Sequence, residues 1–291
     1  MPTNKQRRET AKRKLDRQLE RRAAQARRRR LFTIIASVVG VIVVAGAAVF
    51  TVIYTNKDSG SATASASPSS STSAAAQPAA DGKLPAFAAP ADLGANCQYP
   101  ATTEAASKKV NPPRTGKVPT DPPQISVSMA TNQGNIGLQL DNAKAPCTVN
   151  SFASLAQQGY FNDTQCHRLT TGGLAVLQCG DPTGTGTGGP GYQFANEYPT
   201  NQYQPDNPAL QQPVLYPRGT LAMANAGPGT NGSQFFLVYQ DSQLPPNYTV
   251  FGTIDKTGLE TLDKIAEAGV AGGGQDGKPA QEVTVKSIQL D

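Results

Sequence analysis

Apolar and polar positions change character along the chain. Residues 31–54, LFTIIASVVGVIVVAGAAVFTVIY, are 24 residues without a charge and without a polar face. As a helix they would span roughly 36 Å, against a hydrocarbon core of about 30 Å. The pattern predicts one transmembrane helix with Tyr54 at the far interface. Residues 59–80, SGSATASASPSSSTSAAAQPAA, show no period. Such a segment buries too little apolar surface to offset its ordering entropy, so 55–83 is expected to be a disordered linker. Residues 84–123 are Pro-rich and include Cys97 and Tyr99. They read as an extended arm packed partly on the folded domain.

Alternation sets in near Gln124. ISVSMATNQGNIGLQL (125–140) reads as two strands joined by the turn Thr131-Asn132-Gln133-Gly134. Pro146 opens a helix with Val149, Phe152 and Leu155 on one face and Gly159 as its stop. Residues 164–180 read as a hairpin, and a long irregular stretch, 181–218, comes after it. GTLAMAN, QFFLVY and TVFGTI are further strands. A second helix is expected from the capping box Thr257-Gly-Leu-Glu260, with Leu259, Leu262 and Ile265 inward. EVTVKSIQL (282–290) alternates as a last strand. Many short strands with two helices predict a mainly β domain, a closed antiparallel barrel capped at its ends.

Charge divides the chain again. The net charge is +5, but residues 1–30 alone hold 13 Lys and Arg against Glu9, Asp16 and Glu20. The remainder is therefore net acidic, which argues against a nucleic-acid partner. The run Arg27–Arg30 immediately before the apolar stretch places a basic tail, 1–30, in the cytoplasm and residues 55–291 outside the membrane. A cleaved signal peptide is the competing reading, although its apolar stretch would normally be shorter. Residues 5–30 are either a basic helix on anionic lipid or a solvated charge run. One His in 291 residues excludes multi-His metal sites, and no cofactor is expected.

Three segments invite chemistry. GDPTGTGTGGPG (180–191) is Gly-rich, but no helix comes after it and it lacks Lys-Ser/Thr, so it is a tight loop rather than a phosphate cradle. His167 is read as structural. Arg168 lies within an apolar strand, where an unpaired charge is costly, and therefore needs a cleft or a polar partner. Gln178 on the returning strand fits that part. In TLAMANAGPGTNGSQFFLVY (220–239), alternation puts Phe235 and Phe236 on opposite faces, one toward core and one toward a pocket.

Together these segments resemble the cyclophilins, a family of peptidyl-prolyl cis-trans isomerases. MANAGPGTNGSQFF (223–236) is similar to the family's central signature. CHRLTTGGLAVLQCGDPTGTGTGGPGY (166–192) resembles its Phe-His-Arg…Gln-Gly-Gly-Asp segment and Gly-Thr-Gly-Gly loop. TVFGTI (249–254) resembles its Val-Val-Phe-Gly-x-Val strand. The likeness covers about residues 124–291, with the segments in order, and the anchor and linker make the whole chain similar to membrane-tethered members.

The resemblance implies a closed eight-stranded antiparallel barrel with two helices, acting on proline-containing polypeptides without metal or nucleophile. Such a catalyst favours the twisted amide over both planar forms. It assigns Arg168 as donor to the prolyl nitrogen and Gln178 as its support. Val176, Phe236, Leu244 and Tyr248 would form the proline pocket. Ala224, Asn225 and Gln234 would contact the residue before proline, with Ala226 and Thr230 along the adjoining groove and Gly186 at its rim. There are departures. The stretch from Arg168 to Gln178 is two residues longer than usual, and Ala175 and Val176 replace a Phe-Met pair, leaving Leu174 to refill the wall. Gln243 stands where many members carry a Trp important for cyclosporin, so weak sensitivity is expected. Tyr248 replaces a common His. A weakly active or inactive proline-segment-binding chaperone is the alternative function. Cys97, Cys147, Cys166 and Cys179 all lie after the apolar stretch and allow three pairings.

Overall fold

The structure, a computed structural model, describes residues 82–291. The tail 1–30, the apolar stretch 31–54 and nearly all of the linker 55–83 lie outside the described residues. Among the described residues no helix is long and apolar enough to cross a membrane.

The described residues form short strands and two α-helices. They are β1 (Gln124–Thr131), β2 (Gly134–Asp141), α1 (Pro146–Gln157), β3 (Thr164–Gln165), β4 (Arg168–Thr170) and β5 (Val176–Cys179). Next come β6 (Val214–Tyr216), β7 (Thr220–Met223), β8 (Phe235–Val238), β9 (Ser242–Leu244) and β10 (Val250–Ile254). The chain ends with α2 (Lys256–Ala268), β11 (Asp276–Gly277) and β12 (Thr284–Leu290). One curled antiparallel sheet of ten strands runs in the order β11-β4-β5-β8-β7-β10-β2-β1-β12-β3, and β6 pairs with β9 in a separate ribbon. The expected mainly β, antiparallel architecture with two helices is found, as a curled half-barrel. Eight of the ten strands carry the half-barrel, and two-residue strands β11 and β3 extend its two edges. Two residues are too few to leave an alternation in the sequence.

Register sorts the side chains into two rows. Leu169, Leu177, Leu237 and Leu221 face one another across β4, β5, β8 and β7, and all four are fully buried in the main core. One position along, Arg168, Gln178, Phe236 and Ala222 form a second row on the opposite face. Because side chains alternate with period two, a strand that seals the core with one residue must present the next outside it.

The helices close the curled sheet by burying Val149, Phe152 and Leu155 from α1 and Leu262 and Ile265 from α2. Both are capped by residues that the local pattern leaves out. Ala145 at the start of α1 offers no side-chain cap. The buried Glu197 carboxylate serves instead, accepting from the Cys147 and Thr148 N–H groups at 3.0 and 2.7 Å and from the Thr148 hydroxyl. Its pKa is raised by burial, which those bonds oppose. For α2 the cap is Asp255, whose carboxylate accepts from Gly258 N–H at 2.6 Å, and not Thr257. Thr257 already lies in the first turn.

The Pro-rich arm wraps the sheet. Cys97 is bonded to Cys147 at the start of α1, and Cys166 to Cys179 across the foot of the β4–β5 hairpin. The first bridge joins arm to domain across 50 residues of sequence. Tyr99 donates its hydroxyl to the Cys147 carbonyl at 2.7 Å, and Lys108 Nζ donates to the carbonyls of Gly159 and Asn162. Nearer its start, Leu215 N–H donates to the Gly82 carbonyl, and Leu84 packs on the apolar cluster under the β6–β9 ribbon.

Candidate active site

The second row is where polar chemistry gathers. Arg168 on β4 donates from Nε and Nη2 to the two carboxylate oxygens of Asp276 on β11, both at 2.7 Å, and from Nη1 to Gln178 Oε1 at 3.3 Å. Asp276 supplies the charge partner that the strand position demanded. The carboxylate beside it raises the Arg168 pKa, with burial opposing, and Arg168 in turn holds Asp276 below its ordinary value. The guanidinium stays charged and its plane is fixed by a two-pronged bond.

The chain of donors continues. Gln178 Nε2 donates to Gln234 Oε1 at 2.9 Å, and Gln234 Nε2 donates to the carbonyls of Gly186 and Gly188, each at 3.0 Å. Only one orientation of each amide satisfies both of its neighbours, so the path from Asp276 to the Gly-rich loop has a single polarity.

An apolar pocket lies beside it. Val176, Phe236, Ala222 and Val238 form a buried cluster with Val214 and Tyr216 of the ribbon. Leu244, Tyr248 and Leu174 pack against that cluster. The Tyr248 ring meets Phe236 edge-on, with centroids 5.8 Å apart. Ala175 turns the other way, into the main core. Leu174 therefore reaches the pocket wall that the shortened side chains at 175 and 176 leave thin.

Beyond Gln234 the groove opens into a hollow of about 520 Å³. Ala224, Asn225, Ala226 and Thr230 line one side, and Gly186 to Gly191 the other. Ala224 N–H donates to the Gln234 carbonyl at 2.9 Å, while Asn225 Nδ2 donates to the Asn247 carbonyl at 2.8 Å. The Gly-rich loop is organised around Asp181, which is fully buried. Its carboxylate accepts the N–H groups of Thr183, Gly186 and Gly188 at 2.8, 2.7 and 3.0 Å. Burial alone would raise its pKa, but these bonds together hold it below the usual value. His167 sits against Gly186 with neither ring nitrogen bonded. Burial lowers its pKa, Asp181 opposes and Arg168 reinforces the shift.

An arginine held beside an apolar pocket, with a loop-lined groove leading away, is the arrangement that the motifs described. The sequence matches the family "Cyclophilin type peptidyl-prolyl cis-trans isomerase/CLD" over residues 126–290. The chain belongs to the cyclophilins. As such it is a peptidyl-prolyl cis-trans isomerase acting on proline-containing polypeptides. This cyclophilin is 63% identical over 295 residues to the "Probable peptidyl-prolyl cis-trans isomerase B" of Mycobacterium leprae, covering all of both chains. It is 66% identical over 292 residues to the protein of the same name from Mycobacterium tuberculosis, covering 100% of this chain and 95% of that one. A solved cyclophilin from Cryptosporidium parvum shares 31% identity over 58% of this chain and 98% of its own, with a TM-score of 0.46.

Two contributors to this cyclophilin's groove, Asp276 and a stretch of the arm, are not marked by any motif. Asp276 lies in GGGQDGKP with no pattern around it, 108 residues from Arg168. The one available signal is that an arginine among apolar residues needs a countercharge, and Gln178 carries none. Asp181 stands at the Asp of the Gln-Gly-Gly-Asp resemblance, but its place as the hub of the loop's hydrogen bonds is visible only in the structure. The arm's share of the hollow, Thr102, Glu104 and Ala105, leaves no signal at all. Among the described residues no group of three His, Cys, Asp or Glu side chains could hold a metal.

Proposed function

We propose that this cyclophilin is a membrane-tethered isomerase that turns X-Pro bonds in extracytoplasmic proteins, with Arg168 as the donor to the prolyl nitrogen. The X-Pro amide isomerises slowly because its C–N bond has partial double-bond character. Twisting that bond localises the lone pair on nitrogen. A cationic N–H aimed there stabilises the twisted form more than either planar form, and that difference is the catalysis. Val176, Phe236, Leu244 and Tyr248 would hold the ring and exclude water. Ala224, Asn225 and Gln234 would hold the backbone before it, with Ala226 in the adjoining groove.

The observation that carries this reading is Arg168 anchored on both sides, by Asp276 and by Gln178, in register with Phe236. Nε and one hydrogen of Nη2 are taken by Asp276, which leaves outward N–H groups on Nη1 and Nη2 for substrate. The second reading, a proline-binding chaperone with weak or no turnover, draws on Ala175 and Val176 in place of the larger pair. A protease-coupled assay on an Ala-Pro tetrapeptide separates the two, using the full-length chain in neutral detergent. Turnover well above the thermal rate, lost in Arg168→Ala, supports the donor role. Background turnover by folded wild type supports the chaperone.

The placement rests on the uncharged stretch 31–54, the basic run before it, and two disulfides, which suit an oxidising compartment. Residues 5–30 would then lie at the cytoplasmic leaflet, in reach of anionic lipid. Protease added to intact cells should remove residues 84–291 and spare the tail. Protection of the isomerase domain would overturn this topology.

A further inference from the structure

We infer that the arm makes the far end of the substrate groove acidic, so that this cyclophilin favours polypeptides with Lys or Arg shortly before the X-Pro bond. The inference rests on the isomerase reading for the direction of the bound chain. From the proline pocket the groove passes Ala224, Asn225 and Gln234 and enters the hollow, so residues on the amino-terminal side of proline would be delivered there. The wall opposite Ala226 and Thr230 is completed by Thr102, Glu104 and Ala105 of the arm. Glu104 is the one charged side chain among the described residues that line the hollow.

That wall is built into the fold. Thr102 N–H donates to the Gly191 carbonyl at 3.0 Å, Ser107 N–H to the Gly189 carbonyl at 2.9 Å, and Gly189 N–H to Ser107 Oγ at 3.0 Å. A Cβ at Gly188 would meet Asp181 Oδ1 first and would also lie 2.5 Å from Ser107 Oγ, and one at Gly191 would lie 3.0 Å from the Ala106 nitrogen. The bare backbone at Gly191 lets the arm lie on the loop, and that at Gly188 admits both Asp181 from below and Ser107 from the arm. The Thr102 hydroxyl donates to the Glu104 carbonyl, and the Thr103 hydroxyl to Glu104 Oε2 at 2.9 Å, so the carboxylate is oriented as well as anchored. Two basic side chains are engaged elsewhere. Lys108 Nζ is turned onto carbonyls of Gly159 and Asn162, and Arg168 is paired with Asp276. The second carboxylate of the region, Asp181, lies buried under the loop and adds to the negative field.

The test uses the full-length chain in neutral detergent and three probes, Lys-Lys-Ala-Pro-Phe, Ala-Ala-Ala-Pro-Phe and Glu-Glu-Ala-Pro-Phe. NMR exchange spectroscopy reads isomerisation, and chemical-shift titration reads binding, on the same samples. The Lys-Lys peptide should exceed the Glu-Glu peptide by about two- to fivefold in kcat/KM at low salt, the size expected of a partly exposed ion pair. The ratio should approach one in Glu104→Gln and in about 1 M salt, where the screening length is about 3 Å. A ratio near one in wild type, or one unchanged by Glu104→Gln, overturns the inference while leaving isomerisation intact. If no peptide is turned over, the isomerase reading falls, and the binding ratio decides the charge preference by the same two criteria.

Discussion

Leu169, Leu177, Leu237 and Leu221 cross four strands one register step from Arg168, Gln178, Phe236 and Ala222, yet the two rows live in different media. The leucine row is fully buried, and it is held by dispersion and apolar burial. In the other row, Phe236 and Ala222 are covered by a small second cluster, while Arg168 and its partner Asp276 keep contact with water. One set of backbone hydrogen bonds therefore serves a core that tolerates no polarity and a groove that depends on it. The groove's chemistry can change with little effect on folding, because the side chains that secure the sheet point the other way.

A pair of truncations would break this contrast most sharply. Leu237→Ala should cost about 3 kcal/mol of stability, the range for emptying a fully buried leucine site, with the remaining folded protein near wild type in kcat/KM. Arg168→Ala should do the reverse. Its kcat/KM should fall about a hundredfold, as for loss of one donor to developing charge. Its urea midpoint should barely move, since exposed ion pairs contribute only about 0–1 kcal/mol. Large destabilisation by Arg168→Ala would show that the rows are not separable.

A smaller effect is expected at Asp181, which lies under the groove but is buried like the core. Its folded pKa is lowered, so its contribution is present above the unfolded carboxylate value, about 3.9, and is lost as pH falls through the folded value. Urea midpoints of wild type should therefore drop in acid. Asp181→Asn should be less stable at neutral pH and should flatten that acid limb. Next comes Asp276→Asn, which keeps a hydrogen-bonding group but removes the countercharge. A several-fold loss in kcat/KM with little change in stability is expected, and an unchanged rate would show that Gln178 alone positions the guanidinium. The smallest change concerns Gln243, exposed on β9. Wild type should bind cyclosporin weakly, and Gln243→Trp should tighten it about fivefold, the scale of one added aromatic contact.

Long alternation is legible in this sequence. The β1–β2 hairpin pairs Thr131 with Gly134 across the two-residue turn, and α1 opens at Pro146. The split between Phe235 in the main core and Phe236 in the pocket cluster comes from period two alone. Signals shorter than a period leave no trace, as with the two-residue strands β3 and β11. The start of α2 differs from the capping box because Asp255 and Thr257 are both competent caps, and only the geometry of the Gly258 N–H chooses between them. Of the site, the residues within motifs are legible, and Asp276 is not.

The sequence by itself determined the strand faces, the two helices and the family, because each is written in local spacing or contiguous motif. Tertiary structure alone decided which cysteines meet, that Glu197 caps α1, that Asp276 balances Arg168, and that the arm completes the groove. Cys97 and Cys147 are 50 residues apart, Thr148 and Glu197 are 49 apart, and Arg168 and Asp276 are 108 apart. No local pattern encodes such a contact, because any residue of the right chemistry could have made it until the sheet curled and brought one of them within reach.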